Sequence, residues 1–149
     1  MRPLRAGDLD ALLAGLRQAD RDEVIAASGD DIAGVLRDSV RSSTMLWVAE
    51  IDGELACIFG CAPLDGFLGT RAAPWMLGTN LLDRHPSALM KRCRGYVAEM
   101  IRQYPHLLNF VDVRNVRSIR WLKRLGFTFY DAMPYGKAGL PFHLFEMRV

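Results

Sequence analysis

The sequence predicts a single α+β domain over residues 1–149, in which helices flank a mixed, mostly antiparallel central sheet of about six to seven strands. Three stretches indicate this class. Asp52-Gly53 separates two apolar runs, which favours a two-residue hairpin turn between antiparallel strands. Ser87 to Tyr104 carries apolar residues at helical spacing. Asn109 to Tyr130 is typical of a strand, a short helix and a second strand.

Composition and net charge argue against several classes of protein, namely nucleic-acid-binding, metal-binding, secreted and membrane proteins. The net charge of +2 is too small to indicate nucleic-acid binding by itself. A nucleic-acid-binding module stays as a third and weaker alternative, which a steep loss of binding with rising salt would indicate. The three cysteines form neither an even disulfide set nor a zinc spacing, so we expect reduced, buried thiols and no metal. No apolar run reaches membrane length, and none follows the charged N-terminus as in a signal peptide. These features predict an intracellular protein that does not contact a membrane.

The first third of the chain predicts a short strand followed by helices. Met1 to Leu4 is the candidate strand, and Asp8 is placed to cap a helix whose leucines repeat every three or four residues. Gly29 is expected to end a second helical stretch. The other elements predicted here are a polar turn over 17–20, a helix over 21–27 and a helix opened by Asp30-Asp31.

The middle of the chain predicts the hairpin, a long loop and a central strand. Cys57, Phe59 and Cys61 alternate along the second hairpin strand and therefore share one of its faces. The predicted elements are strands at Met45 to Ile51 and Glu54 to Cys61, a loop at Pro63 to Pro74, and a strand at Trp75 to Thr79.

The stretch from Asn109 to Tyr130 contains the most informative motif. Its first strand ends near Val113, and Asn115 is placed to cap a helix over 116–124. Gly126 suits the left-handed position after that helix, and Phe127 and Phe129 share one face of the next strand. The spacing of Asn115, Ser118, Trp121, Gly126 and Phe127 resembles the last motif of the GCN5-related N-acetyltransferases, in which Asn starts a helix beside the pantetheine arm of coenzyme A.

That resemblance implies an acetyltransferase fold with acetyl-CoA as the cofactor, but the phosphate-binding loop departs from the family pattern. The family uses an Arg/Gln-x-x-Gly-x-Gly/Ala loop whose N–H groups hold the pyrophosphate. Leu81, Arg84 and Pro86 stand at its defining positions, so both glycines are replaced and one amide hydrogen is lost. A donor would then rely on backbone groups of Leu77, Gly78 and Thr79 and on the side chains of Arg84, Arg92 and Asn115. The alternative is a capped helix that binds nothing.

The residues expected for proton transfer also differ from the family pattern. Leu122 stands where many members have a tyrosine general acid, and the central strand lacks the glutamate often used as a base. Proton transfer requires a group such as a carboxylate or a phenol. The remaining candidates are Asp83 and Tyr135; Tyr135 lies in the loop from Met133 to Pro141, before a last strand at Phe142 to Val149.

Residues 47–147 are similar to the small acetyltransferase-fold proteins of short-tailed bacteriophages, through runs such as WMLGTNLL, SIRWLKRLGF and PFHLFEM. This resemblance implies a role in head morphogenesis or inside the virion, with virion proteins as partners and the host cytoplasm or virion as location. Two hypotheses follow: a phage factor with a degenerate acetyl-CoA site, or an active N-acetyltransferase acting on an unknown amine. The candidate contact surface is basic, with a solvated helix face as the alternative; it consists of Arg114, Arg117, Arg120, Lys123 and Arg124.

Overall fold

The structure is a computed structural model that describes residues 1–66 and 68–149, with the side chains of Pro86 and Ala88 outside the description. Its helices are α1 (Asp8–Ala14), α2 (Gln18–Ser28), α3 (Ile32–Ser42), α4 (Leu81–Arg84), α5 (Pro86–Gln103) and α6 (Val116–Leu125). Its strands are β1 (Met45–Ile51), β2 (Glu54–Pro63), β3 (Arg71–Gly78), β4 (His106–Asp112), β5 (Thr128–Phe129), β6 (Met133–Tyr135) and β7 (Leu140–Arg148).

The strands form one mixed sheet in the order β1-β2-β3-β4-β7-β5, and β6 pairs with β7 outside this path. Among the described residues β3 and β4 run parallel, and every other pair is antiparallel. The predicted mixed, mostly antiparallel sheet with flanking helices is therefore confirmed.

The predicted turns around the hairpin and after α6 are also confirmed. β1 pairs with β2 from Met45↔Cys61 to Ile51↔Glu54, and both turn residues have positive φ, 52° at Asp52 and 79° at Gly53. Gly126 has φ 105° directly after α6, a conformation that glycine adopts without steric cost. These local signals were strong because the backbone conformation restricts the residue type.

Helices cover both faces of the sheet, and the alternation of strand residues decides which side chain meets which layer. Cys57, Phe59 and Cys61 belong to the core that includes residues of α5 and α6, whereas Val48 and Ile58 belong to the core of α1, α2 and α3. The three cysteines are free thiols, and all are buried. The shared face predicted for Cys57, Phe59 and Cys61 is therefore confirmed.

The N-terminal predictions need correction. Residues 1–4 do not form a strand, because Arg2 makes one isolated bridge to Val48. Gly7 occupies the cap position of α1, and Asp8 is the first helical residue. The Asp8 carboxylate instead accepts from the Arg5 backbone N–H at 2.6 Å and from the Arg2 guanidinium at 2.8 Å. The polar turn predicted over 17–20 is largely helical, since α2 begins at Gln18.

The long loop predicted at 63–74 is also shorter than expected. β2 continues to Pro63 and β3 begins at Arg71, so the connection spans residues 64–70, of which Phe67 lies outside the described residues. The Arg71 guanidinium pairs with Asp65 at 2.6 Å, and Leu64 N–H donates to the Arg71 carbonyl at 3.0 Å. Two short elements, α4 and β6, were not predicted, because neither is long enough to show a hydrophobic period.

Candidate functional site

A gap between β3 and β4 forms the first cavity. The two parallel strands pair only at Arg71↔His106 and Ala72↔Leu107, and β3 then continues without pairing to β4. Across this gap Asn109 Nδ2 donates to the Pro74 carbonyl at 2.8 Å. The cavity measures about 270 Å³, and apolar and aromatic side chains from both helical layers dominate its wall. It is therefore a slot that reaches through the sheet.

The sequence predicts that the backbone at the end of β3 binds the acetyl-CoA donor. In the structure, the N–H and C=O groups there already make hydrogen bonds within the protein. Thr79 N–H donates to the Ala56 carbonyl at 2.9 Å, and the alternation of antiparallel hydrogen bonds turns the backbone groups of Leu77 toward Ile58 on β2. Gly78 N–H donates to Asp20 Oδ2 at 2.9 Å, and its carbonyl accepts from Arg17 N–H at 2.9 Å. These amides already have acceptors inside the chain.

α4 replaces the glycine-rich loop expected between β3 and α5. This helical turn places Leu82, which is 8% exposed, against Gly78. A Cβ atom at Gly78 would lie 2.1 Å from Leu82 Cδ1, so the absence of a side chain at Gly78 makes room for Leu82. Gly78 therefore serves the packing of Leu82 within the protein.

A buried polar cluster lies where α2 meets the ends of β4 and α6. Asp112 N–H donates to Glu23 Oε1 at 2.8 Å, and Asn115 Nδ2 lies 3.4 Å from both Glu23 Oε1 and Asp20 Oδ1. Burial raises the pKa of Asp20, which is 3% exposed, and burial also raises the pKa of Glu23 to about 7. Glu23 lines the first cavity. A carboxyl group that titrates near neutral pH therefore faces the slot.

Asn115 occupies the predicted position before α6 but does not make the predicted cap. It makes no side-chain cap hydrogen bond, because its amide points toward Asp20 and Glu23. The residue is 2% exposed, and its Oδ1 has no hydrogen-bond partner among the described residues. Its position connects the start of α6 to α2.

A second cavity, of about 280 Å³, lies between the α4–α5 segment and α6. Arg17 and Asp83 line it together, with Arg17 Nε 3.2 Å from Asp83 Oδ1. The same carboxylate oxygen lies 3.0 Å from Arg117 Nη1. Asp83, predicted as a weak catalytic candidate, thus pairs with two arginines, and the other arginines in this wall are Arg120 and Arg124.

The other predicted site residues are divided between the cavities and the surface. Ser118 and Trp121, which belong to the acetyltransferase-like motif, line both cavities. Tyr135 lines the first cavity and stacks on Phe110 with ring centroids 3.9 Å apart. The remaining two, Arg84 and Arg92, are exposed and lie outside both cavity walls formed by the described residues.

The structure divides the predicted basic surface into paired and solvent-facing parts. Arg114 is bound to the Asp112 carboxylate at 2.6 Å, and Arg117 is bound to Asp83. Burial raises the pKa of Asp112, but the hydrogen bonds from Arg114 outweigh this effect, so the net pKa is lowered. Lys123 lies over the Phe129 ring at 5.3 Å. Arg120, Lys123 and Arg124 therefore supply most of the exposed charge on α6.

The described part of the chain contains no helix that is both long and apolar enough to cross a membrane. Within the same residues, no three histidine, cysteine, aspartate or glutamate side chains come together in a way that would hold a metal ion.

Comparison of the sequence with known protein families gives one partial match. Residues 72–133 match the family described as "Bacteriophage T7, probable scaffold protein Gp13". This segment runs from β3 through α4, α5, β4 and α6 to β6. No curated protein sequence matches the chain.

Solved structures identify the fold. The chain resembles smu.2055 from Streptococcus mutans UA159 with 13% identity and a TM-score of 0.71, over 98% of this chain and 96% of that one. It resembles a ribosomal-protein-alanine N-acetyltransferase from Brucella melitensis with 19% identity and a TM-score of 0.68, over 99% and 98%. A third structure, AAC(6')-Ib in complex with ribostamycin and coenzyme A, has 14% identity and a TM-score of 0.70, over 99% and 91%. The fold is that of the GCN5-related N-acetyltransferases, as predicted.

Proposed function

We propose that this chain is an acetyltransferase-fold protein of a phage, acting in virion or head morphogenesis, whose acetyl-CoA site has degenerated. The main observation in support of this proposal is the match of residues 72–133 to a phage scaffold family. That segment contains both strands that border the slot, the α4 turn and the two helices around the second cavity. The part of the chain that departs from the acetyltransferase loop is therefore the part that resembles a phage protein.

The geometry of the donor region supports the loss of acetyl-CoA binding. In the family, backbone N–H groups of the glycine loop hold the pyrophosphate, whereas here α4 fills that connection and Leu82 packs on Gly78. The Gly78 N–H is occupied by Asp20 at 2.9 Å. The apolar slot has the character of a pantetheine channel, but the residues of the loop do not fit the phosphates.

An assembly role is tested most directly in the phage that encodes the chain. A nonsense codon in the gene is expected to leave lysis unchanged and to lower the yield of infectious particles, with the defect visible in the protein content of purified particles. Normal infectivity and normal particle composition would contradict the proposal.

The contact surface is tested in the same phage by charge reversal. Arg120→Glu with Lys123→Glu is expected to reproduce part of the assembly defect, since these side chains are exposed on α6. Arg37→Glu with Arg41→Glu is the matched control, because it reverses two exposed arginines on α3, which packs in the opposite helical layer. Equal effects of both changes would show that the α6 surface is not specific.

The second candidate is an acetyl-CoA-dependent N-acetyltransferase, and Glu23 is the observation that favours it. Its carboxyl group lines the apolar slot together with Tyr135, and burial raises its pKa to about 7. Such a group matches the requirement for a base that takes a proton from an amine near neutral pH. Acetyl-CoA would supply the acyl group. The backbone N–H and C=O groups of Met76 would hold acetyl-CoA. The alternation of antiparallel hydrogen bonds turns these groups away from β2 and toward the gap.

Turnover with a panel of amines, measured by release of the coenzyme A thiol, tests this candidate. Turnover that is lost in Glu23→Gln and Asn115→Ala proteins that remain folded would support an enzyme. Turnover that persists in both variants would remove these residues from the mechanism.

A further inference from the structure

The two helical layers that cover the sheet differ in charge, which the net charge of +2 conceals. On α1, α2 and α3 the exposed charges balance, with Asp10 and Asp38 against Arg37 and Arg41. On α4, α5 and α6 Glu99 is the one exposed carboxylate among the described side chains, whereas nine exposed side chains are basic. These are Arg84, Lys91, Arg92, Arg94, Arg102, Arg117, Arg120, Lys123 and Arg124. One layer is therefore strongly basic.

Basic side chains on α5 lie along one stripe of the helix. Exposed residues recur every three or four positions along its sequence, which places them on one side of an α-helix. The stripe includes the bases Lys91, Arg94 and Arg102, which span about 16 Å of the helix axis. Gly95 and Ala98 lie between them and project little from the helix. A large partner can therefore approach α5 closely along this stripe.

A hydrogen bond joins this stripe to α6. Arg94 Nη2 donates to the Arg124 carbonyl at 2.8 Å, so the last turn of α6 lies beside the middle of α5. Lys123 is exposed on that turn. Together the two helices present the α5–α6 basic face, which consists of Lys91, Arg92, Arg94, Arg102 and Lys123. All five lie outside the walls of both cavities formed by the described residues, so this face is separate from the candidate donor region.

The α5–α6 basic face lacks the side chains on which several other kinds of partner depend for affinity. Protein interfaces depend on apolar and aromatic anchors, but Val116, at the other end of α6, is the one large hydrophobic residue exposed on the described parts of these helices. Binding of single strands depends on the stacking of bases on aromatic rings, but Tyr96 and Trp121 line the cavities. Guanidinium and ammonium groups remain, and these bind the phosphate oxygens of a duplex backbone. Charge complementarity therefore favours a double-stranded nucleic acid.

We propose that the α5–α6 basic face binds the phosphate backbone of double-stranded DNA without reading its base sequence. The choice of DNA over RNA rests on the proposed function, because a factor in head morphogenesis works beside the genome that the head encloses. The five bases contact phosphates, and the small side chains of Gly95 and Ala98 leave room for the DNA backbone. Acetyl transfer and the two cavities take no part in this binding.

Fluorescence anisotropy of a short labelled DNA duplex, titrated with the full chain at several salt concentrations, tests this face. A dissociation constant of about 10⁻⁴ to 10⁻⁶ M is expected near physiological salt. Five phosphate contacts predict that the logarithm of the binding constant falls with the logarithm of the salt concentration with a slope of about −4 to −5. A duplex of scrambled sequence should bind equally. No binding at low salt, a slope near zero, or a strong preference for one sequence would overturn the proposal.

Paired variants separate the α5–α6 basic face from general attraction to a cationic protein. Lys91→Gln with Arg102→Gln is expected to reduce the salt slope by about two and to weaken DNA binding more than tenfold at about 0.1 M salt. Arg37→Gln with Arg41→Gln is the matched control, because it removes two exposed charges from α3, and it should leave binding nearly unchanged. All four side chains are exposed, so both proteins should fold. Equal weakening by the two pairs would contradict binding at this face.

Competitors distinguish DNA from other anionic ligands. Coenzyme A at millimolar concentration should not displace the duplex, because the α5–α6 basic face lies outside both cavity walls. Displacement by coenzyme A would place the binding at the donor region and overturn the proposal. Displacement by polyglutamate at equal charge, or tighter binding of double-stranded RNA, would overturn it in favour of an acidic protein or of RNA.

This proposal and the proposed function can fail separately. Absence of DNA binding by the purified chain overturns the DNA surface and leaves the assembly role in place. Normal infectivity after the nonsense codon removes the assembly role, whereas DNA binding by the purified chain is measured independently of it.

Discussion

Substitution of Glu23 by glutamine should change how stability depends on pH. The glutamate side chain accepts from Asp112 N–H at 2.8 Å and from Asn115 Nδ2 at 3.4 Å. A glutamine oxygen can accept the same hydrogen bonds, so Glu23→Gln removes the charge and keeps the contacts. The variant therefore isolates the cost of ionising this half-buried carboxyl group.

The pKa of Glu23 sets the sign and size of the effect. Burial raises it from 4.5 to about 7, so the folded protein binds the proton more tightly than the unfolded chain. The free energy of unfolding is then highest below pH 4.5 and falls as the pH rises toward 7. The full difference corresponds to about 3 kcal/mol. At pH 8 the glutamine variant should be more stable than wild type by up to about this amount.

Urea unfolding between pH 5 and 8 measures this difference. Asp20 also has a raised pKa and contributes its own slope in both proteins, so the comparison of wild type with Glu23→Gln is the informative quantity. Parallel stability curves for the two proteins would refute the assignment of a neutral pKa to Glu23.

Three further changes test the packing and the ion pairs. Gly78→Ala should cost about 1–3 kcal/mol in urea unfolding, because its Cβ would lie 2.1 Å from Leu82 Cδ1, and Leu82→Ala in the same chain should recover part of that loss. Phe142→Ala should cost about 3–5 kcal/mol, since this side chain is 1% exposed, and a loss below 1 kcal/mol would contradict its place in the core. Asp112 has a lowered pKa through Arg114, so wild type should lose stability as the pH falls below about 4, and Asp112→Asn should lose less in acid unfolding.

The sequence was most informative where one residue type restricts the backbone. Asp52-Gly53 and Gly126 require positive φ, and the elements around them were predicted to within a few residues. The motif residues Ser118 and Trp121 line both cavities, although the sequence related them only through the spacing of the motif.

The parts that escaped prediction depend on contacts between distant residues. Arg17, Asp20 and Glu23 lie in a polar stretch that suggests solvent, and only tertiary contact with Gly78 and Asn115 buries it. No periodic pattern of hydrophobic residues distinguishes such a stretch from an exposed turn. The same reason explains Asn115, whose sequence position fits a helix cap but whose amide is directed toward α2.

The separation of β3 from β4 was equally invisible in the sequence. Each strand has the composition of a strand that pairs along its whole length, yet they pair at only two positions. Asn109 bridges the gap to the Pro74 carbonyl, and side chains of both helical layers line the space. α4 is a single turn and produces no periodic signal.

Calorimetric titration of the purified chain with acetyl-CoA, with desulfo-coenzyme A and inorganic pyrophosphate as controls, tests the degenerate donor site most directly. We predict that acetyl-CoA binds no more tightly than pyrophosphate, because α4 takes the place of the glycine loop and Asp20 already accepts from the Gly78 N–H. Acetyl-CoA binding at micromolar strength, about 8 kcal/mol, and far tighter than pyrophosphate would contradict the account and favour an active N-acetyltransferase.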